Sequence, residues 1–350
     1  MLDTQVLPLI EVAGSHREMG RQFGEQVRDQ ILEYSEMWLG KAARRSGLSR
    51  EQLLGQIGGF VQTIDAYAPQ LGEEIRGVAE GARISETEAF AIQVRMELLF
   101  AGPPRSCTTF ALTGARPARG QMLVGQTVDL DGEVERFGLI LKATPDDAPA
   151  VLMYTSPGLV SYVGLNDAGL AVHGNLLMSP GWRAGFPRYL ITRLMLEQTT
   201  VEAALEAGLR PPRASSRNLI LGDARGAIAN VELTVDDARV LRSERGSLVH
   251  TNHYVAADFC GVEGTPASGS TLNRYERMAD LLASCDRPVS LADLQSFFRD
   301  HHGYPGSICA HPRDGGTTKT VASLISEPAA GRLHAARGNP CESDFVVYSF

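Results

Sequence analysis

The sequence predicts an α+β fold in which two mainly antiparallel β-sheets lie together and helices cover their outer faces. The first hundred residues have helical periodicity. From Cys107 onward, apolar segments typical of β-strands follow one another, mostly separated by short turns rich in Gly, Asp and Asn. Short connections favour antiparallel pairing, and a sheet with an apolar face requires another layer to cover that face.

Helices are predicted throughout the N-terminal part. Ser15 and Glu18 form a capping-box pattern, after which apolar residues recur at helical spacing as far as the segment Lys41–Gly47. Further helices are expected at about 50–64, 70–82 and 85–100. The segment 101–105, AGPPR, cannot continue a helix because it contains two prolines, so we expect an exposed loop there as the main boundary of the chain.

The predicted strands begin directly after this boundary. In chain order they are CTTFAL, QMLVGQTVDL, GLILKA, AVLMYT, VSYVGL, GLAVHGNLL, NLILGD, AIANVEL, SLVHTNHY, KTVASLI, GRLHAA and FVVYSF. Helices are expected to interrupt them at about 187–206, 272–283 and 291–302. This order favours two sheets with helices outside them.

Charge and hydropathy exclude several classes of partner. The 350 residues include 41 acidic and 33 basic side chains, so the net charge is −8 and no basic region is present to neutralise the phosphates of a nucleic acid. No apolar stretch approaches the roughly 18 residues of a membrane helix, and the N-terminus lacks the pattern of a signal peptide. We therefore expect a cytoplasmic protein without a membrane or nucleic-acid partner.

The cysteines and histidines do not predict a metal site. The five cysteines are far apart and contain no CxxC pair, which is typical of reduced thiols that pack as small apolar side chains. His301, His302 and His311 lie close in sequence, but no carboxylate or cysteine completes a recognisable ligand spacing. We therefore expect ordinary histidines, a packed thiol at Cys309 and no bound metal.

Cys107 is the exception among the cysteines, because it lies between the proline-containing loop and the first strand. If the bond between Ser106 and Cys107 were cut, Cys107 would carry both a thiol and a free α-amine. An amine with a pKa of about 7.7–8.0 can accept the proton of a thiol with a pKa of about 8.5. Cys107 could then act as a nucleophile without a histidine, and its own thiol could make the cut.

Three polar residues at strand ends could support this chemistry. Asp129 could accept a hydrogen bond from the new terminal amine, and the amides of Asn175 and Asn252 could donate to a developing oxyanion. Asn175 could equally cap the end of its strand.

Six sequence blocks in order resemble the isopenicillin N acyltransferase family of N-terminal-nucleophile cysteine hydrolases. The blocks are CTTF, GQTVDLD, VGLNDAGLAVHGN, VHTNHY, STLNRYER and SICAHP. The helical opening, with GSHREMGRQFGEQ, is similar to the propeptide region of that family. The resemblance implies a four-layer αββα sandwich, made as a precursor. Residues 1–106 would form a helical propeptide-like segment and residues 107–350 the catalytic part, and the two fragments would stay associated.

The resemblance also implies roles for individual residues. Cys107 matches the nucleophile of the family, and Asp129 matches the aspartate that holds its free amine. Asn252 matches the oxyanion-hole asparagine, and Asn175 matches a second active-site asparagine. Arg274 resembles an arginine that supports the nucleophile; without the resemblance it would be read as part of a solvated helix face.

Three positions depart from the pattern of the family. Gln126 stands where a related branch has Arg, Thr127 stands where Asn is frequent, and Ser106 replaces a glycine before the nucleophile. Ser106 is still small, as autoproteolysis requires. These departures affect the choice of substrate more than the mechanism, and we expect Gln126 and Thr127 to help shape the pocket.

The sequence thus predicts an autoprocessed cysteine amidohydrolase or acyltransferase that forms a thioester on Cys107. It needs no cofactor, and its acyl donor is a small amide or a coenzyme A thioester. Two alternatives stay open: an uncut Cys–His peptidase and a catalytically silent ligand-binding protein. Strand alternation would place His250 and Asn252 on one face and Thr251 and His253 on the other, so at most one histidine could share the face of Asn252.

Overall fold

Two β-sheets stack face to face at the centre of the molecule. The computed structural model describes residues 6–99, 106–264, 267–313 and 315–350. Within these residues, one sheet has eight strands in the order β1-β4-β5-β6-β7-β8-β9-β10, and the other has six in the order β11-β2-β3-β12-β13-β14. The strands, in chain order, are β1 Leu9–Gly14, β2 Thr109–Leu112, β3 Leu123–Asp131, β4 Leu139–Pro145, β5 Val151–Thr155, β6 Val163–Asn166, β7 Leu170–Asn175, β8 Arg217–Asp223, β9 Ile228–Leu233, β10 Ala238–Leu241, β11 Ser247–His250, β12 Thr318–Glu327, β13 Arg332–Arg337 and β14 Val346–Ser349.

Helices form the outer layers. They are α1 His16–Gln26, α2 Arg28–Ser46, α3 Arg50–Leu54, α4 Gly58–Tyr67, α5 Pro69–Ala82, α6 Glu86–Gln93, α7 Arg95–Leu98, α8 Arg188–Leu196, α9 Val201–Leu209, α10 Gly269–Ala283 and α11 Leu291–Phe298. Helices α8 and α9 lie against the eight-stranded sheet. Helices α10 and α11 cover the six-stranded sheet through a separate apolar cluster that includes Phe110, Met278, Phe298 and Ile325. The predicted four-layer αββα sandwich is therefore confirmed.

Most predicted helices and strands are present, but two strands were not predicted, and four of the predicted helices are each divided into two. Strand β1 pairs in parallel with β4, from Leu9 against Ile140 to Gly14 against Pro145, so the N-terminal part is not entirely helical. Strand β10 is a further, partly exposed strand. The helix predicted from Ser15 is interrupted at Val27, whose backbone leaves the helical region.

The N-terminal helices pack closely through glycines. A Cβ atom added to Gly20 or Gly77 would meet a backbone oxygen of the facing helix at 1.9 or 2.1 Å, so only glycine allows α1 and α5 to approach this far. Ser15 caps α1 as predicted, because its Oγ accepts from the Glu18 N–H; the Glu18 carboxylate, however, bonds Arg21 instead of completing the capping box.

Among the described residues, no helix combines the length and apolar character that a membrane crossing requires. The loop predicted at residues 101–105 lies outside the described residues.

Candidate active site around Cys107

The segment Ser106–Thr108 extends strand β2 along strand β3. Ser106 forms a bridge with Asp129, and the Asp129 N–H donates to the Ser106 carbonyl at 2.9 Å. The Thr127 N–H likewise donates to the Thr108 carbonyl at 2.9 Å. The peptide bond between Ser106 and Cys107 is therefore held in a defined orientation, with a backbone donor on its carbonyl oxygen.

The backbone of Cys107 is bonded on both sides by side chains from distant parts of the chain. Its N–H donates to Asn252 Oδ1 at 2.8 Å. Its carbonyl accepts from Asn175 Nδ2 at 3.0 Å and from Arg274 Nη1 at 2.7 Å. The Arg274 guanidinium also donates to Asn252 Oδ1 at 3.1 Å and to Thr108 Oγ1 at 3.0 Å. Arg274 is only 1% exposed, so the solvated-face interpretation of this residue is wrong.

Asn252 turns its side-chain oxygen toward the backbone nitrogen of Cys107. Its Nδ2 donates to the Leu176 carbonyl at 2.9 Å, and its own N–H donates to Thr271 Oγ1 at 2.7 Å. An oxyanion function for Nδ2 stays a prediction, and it would require the Leu176 carbonyl to give up this donor.

The ring nitrogens of His250 bond partners other than Cys107. Strand β11 ends at His250, so the predicted alternation does not extend to Asn252, and the rings of His250 and His253 stack with centroids 6.3 Å apart. His250 Nε2 lies 2.7 Å from Glu232 Oε1, and its Nδ1 lies 2.8 Å from the Thr251 carbonyl. Both ring nitrogens of His250 are thus engaged away from the nucleophile.

Asp129 is completely buried on strand β3. Its Oδ1 accepts from Thr320 Oγ1 at 2.7 Å, whereas its Oδ2 has no hydrogen-bond partner among the described residues. Burial raises the pKa of this carboxyl to about 6, although the nearby Arg274 charge and the Thr320 hydroxyl act in the opposite direction. One carboxylate oxygen is therefore available to a further donor.

Asn175 links the two sheets rather than capping a strand end. Its Oδ1 accepts from Thr109 Oγ1 at 2.9 Å and from Asn218 Nδ2 at 3.0 Å, while its Nδ2 holds the Cys107 carbonyl. Each of these side chains is buried, so the bonds fix the amide orientation.

Thr127 and Gln126 also hold the strands together. Thr127 Oγ1 accepts from the Thr108 N–H at 3.1 Å, and Gln126 Oε1 accepts from the Gly174 N–H at 2.8 Å. Neither side chain is among those that line the small cavity beside Cys107, so a role of both residues in shaping the pocket stays a prediction. Thr127 supports the backbone next to Cys107.

A small cavity of about 20 Å³ lies beside Cys107. Its size accommodates about one water molecule and no acyl substrate. The cavity is lined by Met96, Cys107, Leu130, Tyr162, Gly174, Asn175, Leu176, Arg188, Tyr189 and Arg217.

Two buried arginines, Arg188 and Arg217, line this cavity, and the sequence analysis missed them. The Arg95 guanidinium lies 4.3 Å from the centroid of the Tyr189 ring, and Arg217 lies 5.2 Å from it. Arg188 Nε and Nη1 are buried without a hydrogen-bond partner among the described residues. The nearby Glu97 instead accepts from the Arg188 backbone N–H and from Ser215. Arginines inside the apolar segments RYLITRLML and RNLILGD were the available signal.

Two buried arginines carry charge close to Cys107. Burial and the neighbouring Arg188 lower the pKa of Arg217 to about 10, and burial also lowers the pKa of Arg274. The charges of both arginines interact with Cys107.

The structure brings the predicted site residues together in one network: Ser106, Cys107, Thr127, Asp129, Asn175, Asn252 and Arg274. Their catalytic roles stay predictions.

The expectation for the histidines near residue 301 needs correction. Cys309 and Cys341 lie beside His301 and His311, whereas His302 is not part of this group. The sequence could not reveal the group because Cys341 is distant from the other three residues along the chain.

Comparison with known sequences finds a family match across most of the chain. The profile of the family described as acyl-coenzyme A:6-aminopenicillanic acid acyl-transferase matches residues 118–342. This range includes Asp129, Asn252 and Arg274 but begins after Cys107. The 40 kDa form of acyl-coenzyme A:6-aminopenicillanic-acid-acyltransferase from Emericella nidulans is 25% identical over 347 residues, which cover 96% of this chain and 95% of that protein.

Solved structures with similarity to the chain include three hydrolases. The Caenorhabditis elegans ortholog of N-acylethanolamine-hydrolyzing acid amidase has a TM-score of 0.48 and 15% identity, covering 64% of this chain and 93% of its own. A mutant of conjugated bile acid hydrolase from Clostridium perfringens has a TM-score of 0.44 and 14% identity, and the match covers 70% of this chain and 97% of that protein. Penicillin V acylase from Agrobacterium tumefaciens has a TM-score of 0.44 and 16% identity, and the match covers 65% of this chain and 82% of that protein.

Proposed function

Because this chain belongs to the acyl-coenzyme A:6-aminopenicillanic acid acyl-transferase family, we propose that it is an acyltransferase or amidohydrolase that becomes active by cutting its own chain before Cys107. The observation that carries the proposal is the binding of the Ser106–Cys107 peptide on both sides, with Asp129 N–H on the Ser106 carbonyl and Asn252 Oδ1 on the Cys107 nitrogen. Such fixation orients the peptide for attack.

In the first step, Cys107 Sγ attacks the Ser106 carbonyl carbon. The new S–C bond replaces the C–N bond, and the thiol proton passes to the departing nitrogen of Cys107. The Asp129 N–H stabilises the oxyanion that forms on Ser106. Water then hydrolyses the thioester, which leaves a carboxylate on Ser106 and a free amine and thiol on Cys107.

In the catalytic cycle, the α-amine takes the thiol proton and the thiolate attacks the acyl carbonyl of the substrate. The amine then passes the proton to the leaving group, and a thioester remains on Cys107. Asn252 Oδ1 and the unpartnered Asp129 Oδ2 orient the amine. Water or a second amine accepts the acyl group.

The fragments 1–106 and 107–350 stay together in this proposal. Strand β1 is part of the same sheet as β4, and Gln93 Nε2 donates to the Gly158 carbonyl at 2.7 Å. Lys41 also pairs with Asp131 at 2.9 Å. Cutting one peptide bond leaves these contacts intact.

The buried arginines suggest which substrates the cavity accepts. Among the described residues, two buried guanidinium nitrogens of Arg188, Nε and Nη1, have no hydrogen-bond partner. Such nitrogens are costly to bury, and an anionic substrate group would satisfy them. We therefore propose that the substrate is an acyl amide that carries a carboxylate. Alternatively, the enzyme transfers the acyl group of a coenzyme A thioester to an acceptor that carries a carboxylate. The cavity of the uncut chain must widen after cleavage to admit it.

Intact-mass analysis and N-terminal sequencing test the processing step. We expect the purified wild-type protein to contain fragments 1–106 and 107–350, the latter beginning Cys-Thr-Thr-Phe. Cys107→Ala should remain uncut and inactive, whereas Cys260→Ala, which removes an exposed thiol elsewhere, should be cut normally. A full-length wild-type chain with full amidase activity would instead support the Cys–His peptidase, and equal behaviour of wild type and Cys107→Ala would support the binding protein.

A further inference from the structure

Four potential metal ligands from separate segments meet on the surface of the molecule. His301 and Cys341 are exposed, His311 is partly exposed and Cys309 is buried, and one ligand atom from each lies within 4.8 Å of the others. We propose that His301, Cys309, His311 and Cys341 bind one Zn²⁺ ion with a structural role. The four proposed ligands do not include Cys107, and the proposal does not depend on the proposed function.

Four of the six distances between these atoms are close to the edges of a zinc tetrahedron, and the other two are below 4.8 Å. For Zn–S bonds of about 2.3 Å and Zn–N bonds of about 2.0–2.1 Å, the edges are about 3.8 Å between two sulfurs, 3.6 Å between sulfur and nitrogen and 3.3 Å between two nitrogens. The Sγ atoms of Cys309 and Cys341 are 3.6 Å apart. His311 Nε2 lies 3.6 Å from Cys309 Sγ, 3.3 Å from Cys341 Sγ and 3.0 Å from His301 Nε2.

The four donor atoms favour zinc over other metals. Two thiolates and two imidazoles are typical ligands of zinc, whereas Mg²⁺ and Ca²⁺ prefer oxygen and iron–sulfur clusters usually take four cysteines. Four protein ligands fill a tetrahedral coordination shell, so no position is left for water or substrate. The site is therefore structural rather than catalytic. Binding would release the protons of the two thiols.

Neighbouring residues supply the outer contacts that such sites need. Asn339 Nδ2 donates to Cys309 Sγ at 3.5 Å and to the Ala310 carbonyl at 2.7 Å. Glu342 Oε1 lies 3.9 Å from His311 Nδ1, the ring nitrogen that faces away from the proposed ion. A carboxylate near the second nitrogen of a ligating histidine orients the ring.

The proposed ion would hold the segment 309–311 that positions Thr320. Ala310 and Thr320 exchange two hydrogen bonds of 2.9 Å, one of them through Thr320 Oγ1. The same hydroxyl donates to Asp129 Oδ1. Zinc would thus act as a cross-link between this segment and Cys341, and would support Asp129 from a distance.

A disulfide between Cys309 and Cys341 is the competing use of these thiols. Both cysteines are free in the structure, and an oxidised pair could not ligate zinc. The two uses differ in metal content and in their response to reductant.

Metal analysis of the full-length protein, purified with reductant and without a metal-affinity tag, tests the proposal. We expect elemental mass spectrometry to find one zinc ion per chain. After replacement by Co²⁺, we expect the visible bands of tetrahedral cobalt and a thiolate-to-cobalt charge-transfer band. A chelator should lower the Tm of the wild type.

Matched variants locate the site. His301→Ala and Cys341→Ala should each weaken zinc binding by more than about 100-fold, since even outer contacts of zinc ligands are worth 10- to 100-fold. The control variants His302→Ala and Cys260→Ala, which change a histidine and a cysteine outside the cluster, should each retain one zinc ion per chain. The proposal is wrong if the reduced protein gives no thiolate-to-cobalt band, if both ligand variants bind zinc like the wild type, or if the chains are metal-free with a Cys309–Cys341 disulfide.

Discussion

The two sides of Cys107 differ in how completely their polar groups are paired. On the backbone side, Asn175, Asn252 and Arg274 bond the amide and carbonyl groups. On the side of the cavity, the guanidinium of Arg188 has buried nitrogens without hydrogen-bond partners among the described residues. Paired buried groups hold the backbone of Cys107 in place, whereas a buried cation with unpaired nitrogens favours the binding of an anion. In the proposed function, the first side would position the reacting bond and the second would recognise the substrate.

Removing Arg274 should have the largest effect, because it bonds Cys107, Thr108 and Asn252 together. We expect Arg274→Met to slow cleavage by about 1000-fold, as loss of a fixed donor at a reacting centre does. The rate is measured as the appearance of fragment 107–350 on gels after the chain is synthesised.

Arg277→Met provides the control, since Arg277 lies on the same helix and pairs with Asp300 at a partly exposed position. Circular dichroism should show equal helix content in the two variants. Normal cleavage in a folded Arg274→Met protein would contradict the positioning role of the backbone side.

Asp129→Asn should lower the activity of the cut enzyme by about 100-fold, because the terminal amine loses its charged acceptor. Steady-state assays on the processed enzyme measure kcat. Asp131→Asn, two residues along the same strand and paired with Lys41, is the matched control and should retain activity. Equal kcat values for the two variants would argue against Asp129 as the acceptor.

Asp129 should also make the stability of the uncut chain depend on pH. Burial raises its pKa to about 6 in the folded protein from the ordinary 3.8 of an exposed aspartate, so the folded chain binds more protons between these two pH values. This group alone therefore makes stability rise as pH falls from about 6 to about 4, by roughly 3 kcal/mol. Urea unfolding of Cys107→Ala, compared with Cys107→Ala/Asp129→Asn, isolates the contribution, and parallel pH curves would refute the raised pKa.

Arg188→Leu should have the smallest effect on processing and a selective effect on substrate binding. We expect KM for acyl amides that carry a carboxylate to rise about 10- to 100-fold, and KM for neutral analogues to stay nearly constant. Arg183→Leu, at an exposed arginine that pairs with Asp236, is the control. A similar loss for both substrate classes would show that Arg188 does not recognise the carboxylate.

The site residues at strand ends could be predicted from the sequence, whereas their contacts could not. Cys107, Asp129, Asn175 and Asn252 each stand in or next to a recognisable apolar segment, and the order of the blocks predicts a role for each. The contact of Asn252 Oδ1 with the Cys107 nitrogen joins residues far apart in the chain, and no local pattern encodes which amide atom faces inward.

The sequence by itself determined the alternation of apolar and polar residues, and with it the two sheets, most of the helices and the position of Cys107 at the start of a strand. Only the tertiary structure decided the parallel pairing of β1 with β4, the arginines beside the cavity and the meeting of His301, Cys309, His311 and Cys341. Local periodicity depends on neighbouring residues, whereas these features depend on the packing of segments that the chain brings together only after it folds.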